Sequence, residues 1–423
     1  MLGEQLRIER ALCRRHLGEG ELTLYDVTST YFEGRSCPIA KRSYSRDGKK
    51  DKLQVLFGLL SNEEGCPVAV EVFEGDTADP KILPAKVRKL REDFGLSRVT
   101  LVGDRGMMTS ARIREDLASE EGLDWITALR APDIQKLREV GTIQLGLFDE
   151  RDLAEVEDPA YPGERLIVCR NPLLRDERRR KRGELLQATE RELEKIARSV
   201  SSGRLKGRSR IGLRAGKVLG RSKVGKLFRL EIGERSFRFH RREDRIEREA
   251  ALDGFHVVRT SVPRSRLSAS GAVRAYKRLT RIERAFRNLK SLGLHVRPPF
   301  HWTAERLKAH IFLCMLAYYV QWHMEEAWAP LLFQDEFSEE RNARRSPVRP
   351  PLRSRAAKWK DSTKRTLDGK PLHSFRTLLS DLGSISRVRV SPVGSGQAAF
   401  DILSEPTEDE LEAFRLLGVR LKP

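Results

Sequence analysis

The stretch Ala272–Lys290, AVRAYKRLTRIERAFRNLK, decides how the rest of the chain is read. Leu279, Ile282, Phe286 and Leu289 recur at helical spacing. No Gly or Pro interrupts them, and Ser268 or Ser270 can cap the start. A second face runs beside this apolar stripe. Tyr276, Glu283 and Lys290 are seven residues apart, so on one helix they fall nearly in line, with Arg287 one turn beyond Glu283. Glu283 is the only acid between Asp253 and Glu305, and Arg278, Arg281, Arg284, Arg287 and Lys290 surround it. A lone carboxylate in a basic field suits a site where the acid holds a cation and the bases hold phosphate. Taken alone, the commoner explanation is a surface Glu paired with Arg four residues away. The rest of the chain decides between the two.

A length of 423 residues suggests two or three domains, and a hydrophobic content of 39% leaves material for their cores. The balance of 81 Lys+Arg against 61 Asp+Glu gives a net charge of +20. An excess of that size points to a polyanion partner, most simply nucleic acid. Cys13, Cys37, Cys66, Cys169 and Cys314 are scattered, with no C-x-x-C pair, which fits a reducing compartment and offers no zinc site. His295, His301, His310 and His323 also lack zinc-ligand spacing. The opening MLGEQLRIERALCRRHLGEG is charged throughout, unlike a signal peptide. The most apolar run, Ile311–Val320, is too short to span a bilayer. These features predict a cytoplasmic protein without a membrane partner. P-loop and Ser/His/Asp constellations are absent from the sequence.

In chain order, residues 1–20 form a short charged helical stub. Strands are expected at 22–27 (LTLYDV), 53–61 (LQVLFGLLS), 67–73 (PVAVEVF), 98–102 and 124–129 (DWITAL). Helices are expected at 80–93, opened by Asp79-Pro80, and at 110–118. A three-strand meander followed by helix, strand, helix and strand is the order of an RNase H-like domain: an α/β fold with a mixed five-stranded sheet flanked by helices. Residues 21–130 supply its first part and 261–330 its second, which carries the site helix and another helix over 302–328. Between them, 131–260 reads as a mostly β insertion with one long helix near 173–200. The insertion carries the charge run RDERRRKR at 175–182 and a Gly-rich basic loop over 201–226. That loop has no acid, so Arg204, Lys206, Arg208 and Arg210 are expected to line a phosphate groove. Residues 331–423 form a basic, Pro-containing linker and a small C-terminal element.

Three acids stand where such a fold gathers them: Asp26 on the first strand, Asp104 just past the fourth, and Glu283 on the late helix. Neighbouring parallel strands put their carboxyl ends on one sheet edge. Two Asp and one Glu there make an all-oxygen site suited to Mg²⁺ or Mn²⁺. Two such ions can activate an attacking oxygen and stabilise a leaving one in phosphodiester displacement. Separately, Asp26 reads as a strand-end cap and Asp104 as a turn residue; it is the set, in order, that carries the argument. Asp51 and Gln54 either brace the site or start a strand, and Trp125 is expected in the core.

TLYDVTSTYFEG, SYSRDGKKDKLQV, LVGDRGMMTSARI and RIERAFRNLKSLGLHVRPPFHW together resemble insertion-sequence transposases of the DDE class. They look most like the group with a YREK signature: Tyr, two residues, Arg, three residues, Glu, six residues, Lys. Tyr276, Glu283 and Lys290 match that spacing, whereas Leu279 stands where the signature has Arg, leaving that role to Arg278, Arg281 or Arg287. The resemblance covers roughly residues 20–330. It implies that Asp26, Asp104 and Glu283 bind two Mg²⁺ or Mn²⁺ ions. It also implies that Tyr276 and Lys290, with Arg284 and Arg287, contact double-stranded DNA, both element ends and target. The implied reaction is hydrolysis at the element's ends, then attack of the freed 3′-OH on target DNA, by a homodimer in a bacterial, nucleoid-associated setting. Two other readings stay open: an inactive DNA-binding relic, and an RNase H-like nuclease that cuts without joining. Only about 25 residues precede Asp26, which predicts an N-terminally truncated reading frame lacking end recognition.

Overall fold

The computed structural model describes residues 2–49, 51–78, 82–144, 148–221, 224–290, 293–336, 345–366, 368–391 and 399–420. The first elements are α1 (Leu2–His16), β1 (Leu22–Phe32), β2 (Leu53–Asn62), β3 (Pro67–Glu74), α2 (Leu83–Arg88), β4 (Val99–Gly103), α3 (Ser110–Arg112) and β5 (Leu123–Ala128). Wider π turns, Lys89–Asp93 and Ile113–Leu117, extend α2 and α3. Next come α4 (Ala131–Glu139), β6 (Leu153–Val156), β7 (Arg165–Arg170), α5 (Pro172–Ser201), α6 (Arg208–Arg221), β8 (Phe228–Ile232), β9 (Phe237–Arg241), α7 (Glu243–Ala250) and β10 (Phe255–Thr260). The chain closes with α8 (Ala269–Lys277), α9 (Leu279–Lys290), α10 (Ala304–Ala327), α11 (Arg355–Thr363), α12 (Phe375–Leu382), β11 (Arg387–Val390), β12 (Phe400–Leu403) and α13 (Glu408–Leu416). The Asp79-Pro80 helix start and residues 337–344 of the expected linker lie outside the described residues. Two compact units emerge: Met1–Thr127 with Thr260–Pro423, and Ala128–Arg259.

In the first unit the strands lie in the order β3-β2-β1-β4-β5. β1 runs antiparallel to β2 and parallel to β4, and β4 runs parallel to β5. That mixed, five-strand order is RNase H-like. β1 outlasts the expected 22–27 because its TSTYF half keeps pairing with β2, down to Phe32 opposite Leu53. α9 packs on β1, and α10 lies on β3 and α9. Phe286 of α9 meets Phe57 of β2 edge to face at 5.5 Å between ring centres, a geometry worth about 0.5–1.5 kcal/mol beyond area burial. The interior also holds charge. Lys89 pairs with Glu9 at 2.6 Å and with Glu71 at 3.4 Å, and Lys86 pairs with Glu71 at 2.8 Å. Glu9 Oε1 accepts the Val70 N–H as well, at 3.1 Å. This network ties α1, β3 and the α2 segment together behind β1, and removing one member costs about 3–5 kcal/mol by stranding its partner's charge. At the C-terminal end of this unit, Thr407 and Glu410 cap α13 reciprocally. There the fully buried Trp328 donates its indole N–H to the Ala413 carbonyl at 3.0 Å.

The second unit places β7 between β10 and β6, and β8 pairs with β9 in a separate hairpin. Its core is built from Leu186, Leu193 and Ile196 of α5, Ile211 and Ala215 of α6, and Phe228 and Phe237 of the hairpin. The expectation of a mostly β insertion with a single helix is corrected, because the unit contains α4, α5, α6 and α7. The basic loop expected over 201–226 is corrected too. Residues 208–221 are the 14-residue α6, which buries Ile211 and Ala215. Gly212, Gly216 and Gly220 sit four apart on that helix, a spacing that leaves the apolar stripe intact. Ser222 and Lys223 of the expected loop lie outside the described residues. The 175–182 run is not a bare cationic patch. Arg180 pairs with Glu184 and Lys181 with Glu177, each four residues apart, and Arg182 is held by the buried Asp253. Among the described residues, no helix is long and apolar enough to cross a membrane.

Candidate active site

Asp26 and Asp104 are brought together by strand register. In the parallel β1–β4 pair, Tyr25 lies opposite Gly103. The residue after each is an acid, so Asp26, midway along β1, comes beside Asp104, just past the carboxyl end of β4. Asp104 opens a tight turn: its carbonyl accepts the Met107 and Met108 N–H groups, and its side chain accepts the Gly106 N–H at 2.9 Å. Glu283 arrives from α9, whose Ile282, Ala285, Phe286 and Leu289 are buried while Glu283 is exposed. Asp26, Asp104 and Glu283 line one cavity of about 480 Å³, together with Arg46, Arg287 and Lys290.

The acids crowd each other electrostatically. Burial pushes the Asp26 carboxyl up to about 7, with Asp104 and Glu283 adding to the rise. The Val27 N–H, which donates to Asp26 Oδ1 at 2.7 Å, and the Arg46 guanidinium pull the other way. Tyr276 shares this field. Burial holds its hydroxyl above the ordinary phenol range, and Asp104, Asp26 and Glu283 act in the same direction.

The site helix is not one cylinder. α8 ends at Lys277 and α9 begins at Leu279, with Arg278 in a turn between them. The Thr280 hydroxyl donates to the Lys277 carbonyl at 2.9 Å, and the Arg281 N–H bonds the Arg278 carbonyl at 2.8 Å, a tighter turn than α-helix. Ser268, and not Ser270, supplies the cap, accepting the Gly271 N–H at 3.1 Å.

Lys290 is not an exposed arm. Its ammonium donates to Thr28 Oγ1 at 2.6 Å and pairs with Asp47 at 3.1 Å, with 9% of the side chain exposed. Burial lowers its pKa, and Asp47 opposes the shift. Arg297 reaches the same Asp47 at 2.9 Å. Arg284 points elsewhere: it pairs with Glu325 of α10 at 3.1 Å and lines a different cavity. Arg204, Lys206, Arg208 and Arg210 are all exposed in the second unit. Gln54 is fully buried and donates to the carbonyls of Lys49 and Lys52, so it pins the chain at those two residues, while Asp51 is exposed. Trp125 is buried in β5.

Arg46, Asp47 and Arg297 were not singled out from the sequence, although Arg46 and Asp47 fall inside the quoted SYSRDGKKDKLQV. Arg46 donates to the Val27 carbonyl, far from its own neighbours in the chain, so only the folded loop shows its place beside Asp26. Another set escaped as well. Among the described residues, three metal-ligating side chains lie within 4.8 Å of one another, and they are His16, Cys66 and His323. The three carboxylates are spread more widely around their cavity.

The family model described as a transposase DDE domain matches residues 18–320. Among solved structures, a piggyBac transposase in a synaptic complex with hairpin DNA, determined by cryo-EM, is similar at 10% identity with a TM-score of 0.38. That match covers 72% of this chain and 48% of the other, so the chain spans about half the length of that structure. No curated protein matches the chain.

Proposed function

The chain belongs to the transposase DDE domain family, and from that premise we propose that Asp26, Asp104 and Glu283 hold two Mg²⁺ or Mn²⁺ ions for phosphodiester cleavage and strand transfer on double-stranded DNA. The donor set fits hard divalent cations. Three carboxylates face one cavity, and Asp26 rises to about 7 where a countercharge would favour its ionised form. When bound, the ions would lower the pKa of the attacking oxygen and stabilise the leaving one. With the ions bound, Asp26 would be held in its ionised form, its proton passing to solvent. Arg287 lies one turn from Glu283 on the same cavity, where it can hold a non-bridging phosphate oxygen. Lys290, Asp47 and Arg297 form a wall of the cavity that holds β1 through Thr28. Tyr276 stays protonated and can donate to a phosphate or to a carboxylate. In this reading the chain is an insertion-sequence transposase of YREK type, with hydrolytic nicking followed by attack of the 3′-OH on target DNA.

The observation that carries the proposal is the Tyr25–Gly103 register, which sets two acids side by side beneath the one acid of α9. The test is metal-dependent nicking of a duplex carrying the element's flanking sequence. Glu283→Ala should lower the rate by at least about a hundredfold, the scale on which removing one transition-state electrostatic partner is felt. Equal nicking by wild type and variant would remove Glu283 from the chemistry. Nicked product without joined product in the same reaction would leave a nuclease in place of a transposase.

A further inference from the structure

Three elements of the first unit meet at a place the acidic cavity does not use. His16 ends α1, Cys66 stands in the turn between β2 and β3, and His323 lies on α10. One ligand atom from each falls within 4.8 Å of the other two. Cys66 has no exposed surface and is a free thiol, while both imidazoles are half-buried and give an ion a path from solvent. His323 Nε2 is buried with no hydrogen-bond partner. The backbone around the thiol is fixed, since Asn62 Oδ1 accepts the N–H of Glu64 at 3.1 Å and of Cys66 at 2.9 Å. The rings are fixed as well. His16 Nε2 shares a hydrogen bond with the Tyr319 hydroxyl at 2.9 Å, and Tyr319 and Trp322 pack edge-on to His323 at 4.5 and 4.9 Å.

We propose that His16, Cys66 and His323 form a site for a borderline-soft divalent cation of the Zn²⁺ class, with water in a fourth position. One thiolate and two imidazoles are donors such an ion prefers, and Mg²⁺ does not. Zn–S near 2.3 Å and Zn–N near 2.0–2.1 Å put donors of a tetrahedral site roughly 3.3–3.7 Å apart. Closing from separations of at most 4.8 Å needs side-chain movement of no more than about an ångström. Burial holds both imidazoles below their ordinary range, with His323 and then Arg15 adding at His16 and Arg15 adding at His323. Without an ion, burial pushes the Cys66 thiol up to about 12. Loading therefore releases one proton from sulfur to solvent as the S–metal bond forms. The ion would pin α1 and the β2–β3 turn to α10, which itself packs on the helix bearing Glu283. The site is thus a clamp behind the catalytic helix and takes no part in phosphate chemistry.

Cobalt(II) reports such a site because a thiolate ligand gives a charge-transfer absorption that carboxylates do not. Full-length protein is stripped with chelator and titrated with Co²⁺. The expected result is a thiolate-to-cobalt band that saturates at one equivalent per chain and is abolished by Zn²⁺. His323→Ala should weaken apparent affinity by more than about 100-fold, beyond the effect of removing an outer partner, and Cys66→Ala should remove the band. Cys13→Ala and Asp104→Asn should retain it, which separates the site from another buried thiol and from the acidic cavity. A wild-type titration with no such band overturns the proposal whether or not the variants fold. So does a band that survives Cys66→Ala.

Discussion

In the proposed role Asp26 stands between two demands: holding a cation needs its ionised form, while burial beside Asp104 and Glu283 favours its protonated form. A carboxyl raised from 3.8 to about 7 binds its proton more tightly in the folded chain than in the unfolded one. Its contribution to stability is full below about 3.8 and is lost progressively as pH rises through about 7. In chelator, Asp26→Asn should therefore melt above wild type at pH 8, by on the order of 1–2 kcal/mol after allowance for solvent screening. The advantage should shrink toward pH 4, and a difference that is flat across that range would mean Asp26 is not electrostatically strained. Lys290 makes the complementary case. With Asp47 and Thr28 as partners, Lys290→Ala should cost about 2–4 kcal/mol. A denaturation midpoint equal to wild type would put that ammonium in solvent. Spacing on the helix showed that Lys290 faces the Glu283 side. Asp47 is 243 residues away in sequence, so no local pattern could show that the charge was already taken.

At the scale of elements, strands with continuous apolar runs were legible because a buried strand must be hydrophobic on both faces. β2 is buried along nearly its whole length and was expected within a residue of its bounds. α6 was not legible. A Gly-rich basic stretch reads as loop, since each interior Gly costs a helix about 1 kcal/mol against Ala. Burial of Ile211 and Ala215 against α5 and the β8–β9 hairpin overrides that cost. A side chain built at Gly216 or Gly220 would meet nothing within 4 Å. Gly216→Ala and Gly220→Ala should therefore each stabilise the protein by about 0.5–1 kcal/mol. A drop in stability in either would show that the helix needs those glycines for close packing. The break at Arg278 was hidden for another reason: it comes from Thr280 bonding back to the Lys277 carbonyl, and neither Gly nor Pro marks it.

For the whole molecule, the charge of +20 is a statement about partners, and the fold shows how unevenly it is available. Much of the 175–182 run is taken up by Glu177, Glu184 and Asp253, whereas Arg204, Lys206, Arg208 and Arg210 have exposed side chains. Replacing these four by Ser should flatten the log–log salt dependence of duplex binding, by up to about 0.9 unit for each phosphate that is no longer neutralised. An unchanged slope would leave them as ordinary solvated surface. The sheet order followed from the sequence of elements, but the Glu9–Lys89–Glu71–Lys86 network did not. Interior charges look like surface charges until the chain is closed around them.

The separation of the acids along the chain also has a consequence in time. Asp26 and Asp104 lie before the Ala128–Arg259 unit and Glu283 after it. A ribosome adding 5–20 residues per second needs roughly 10–35 s to pass from the second acid to the third. During that interval the nascent chain can pair β1 with β4 and fold its opening strands, yet it lacks one of its three carboxylates. Under the proposed function, the growing polypeptide would therefore lack a complete set of metal-holding acids until the whole Ala128–Arg259 unit has been made.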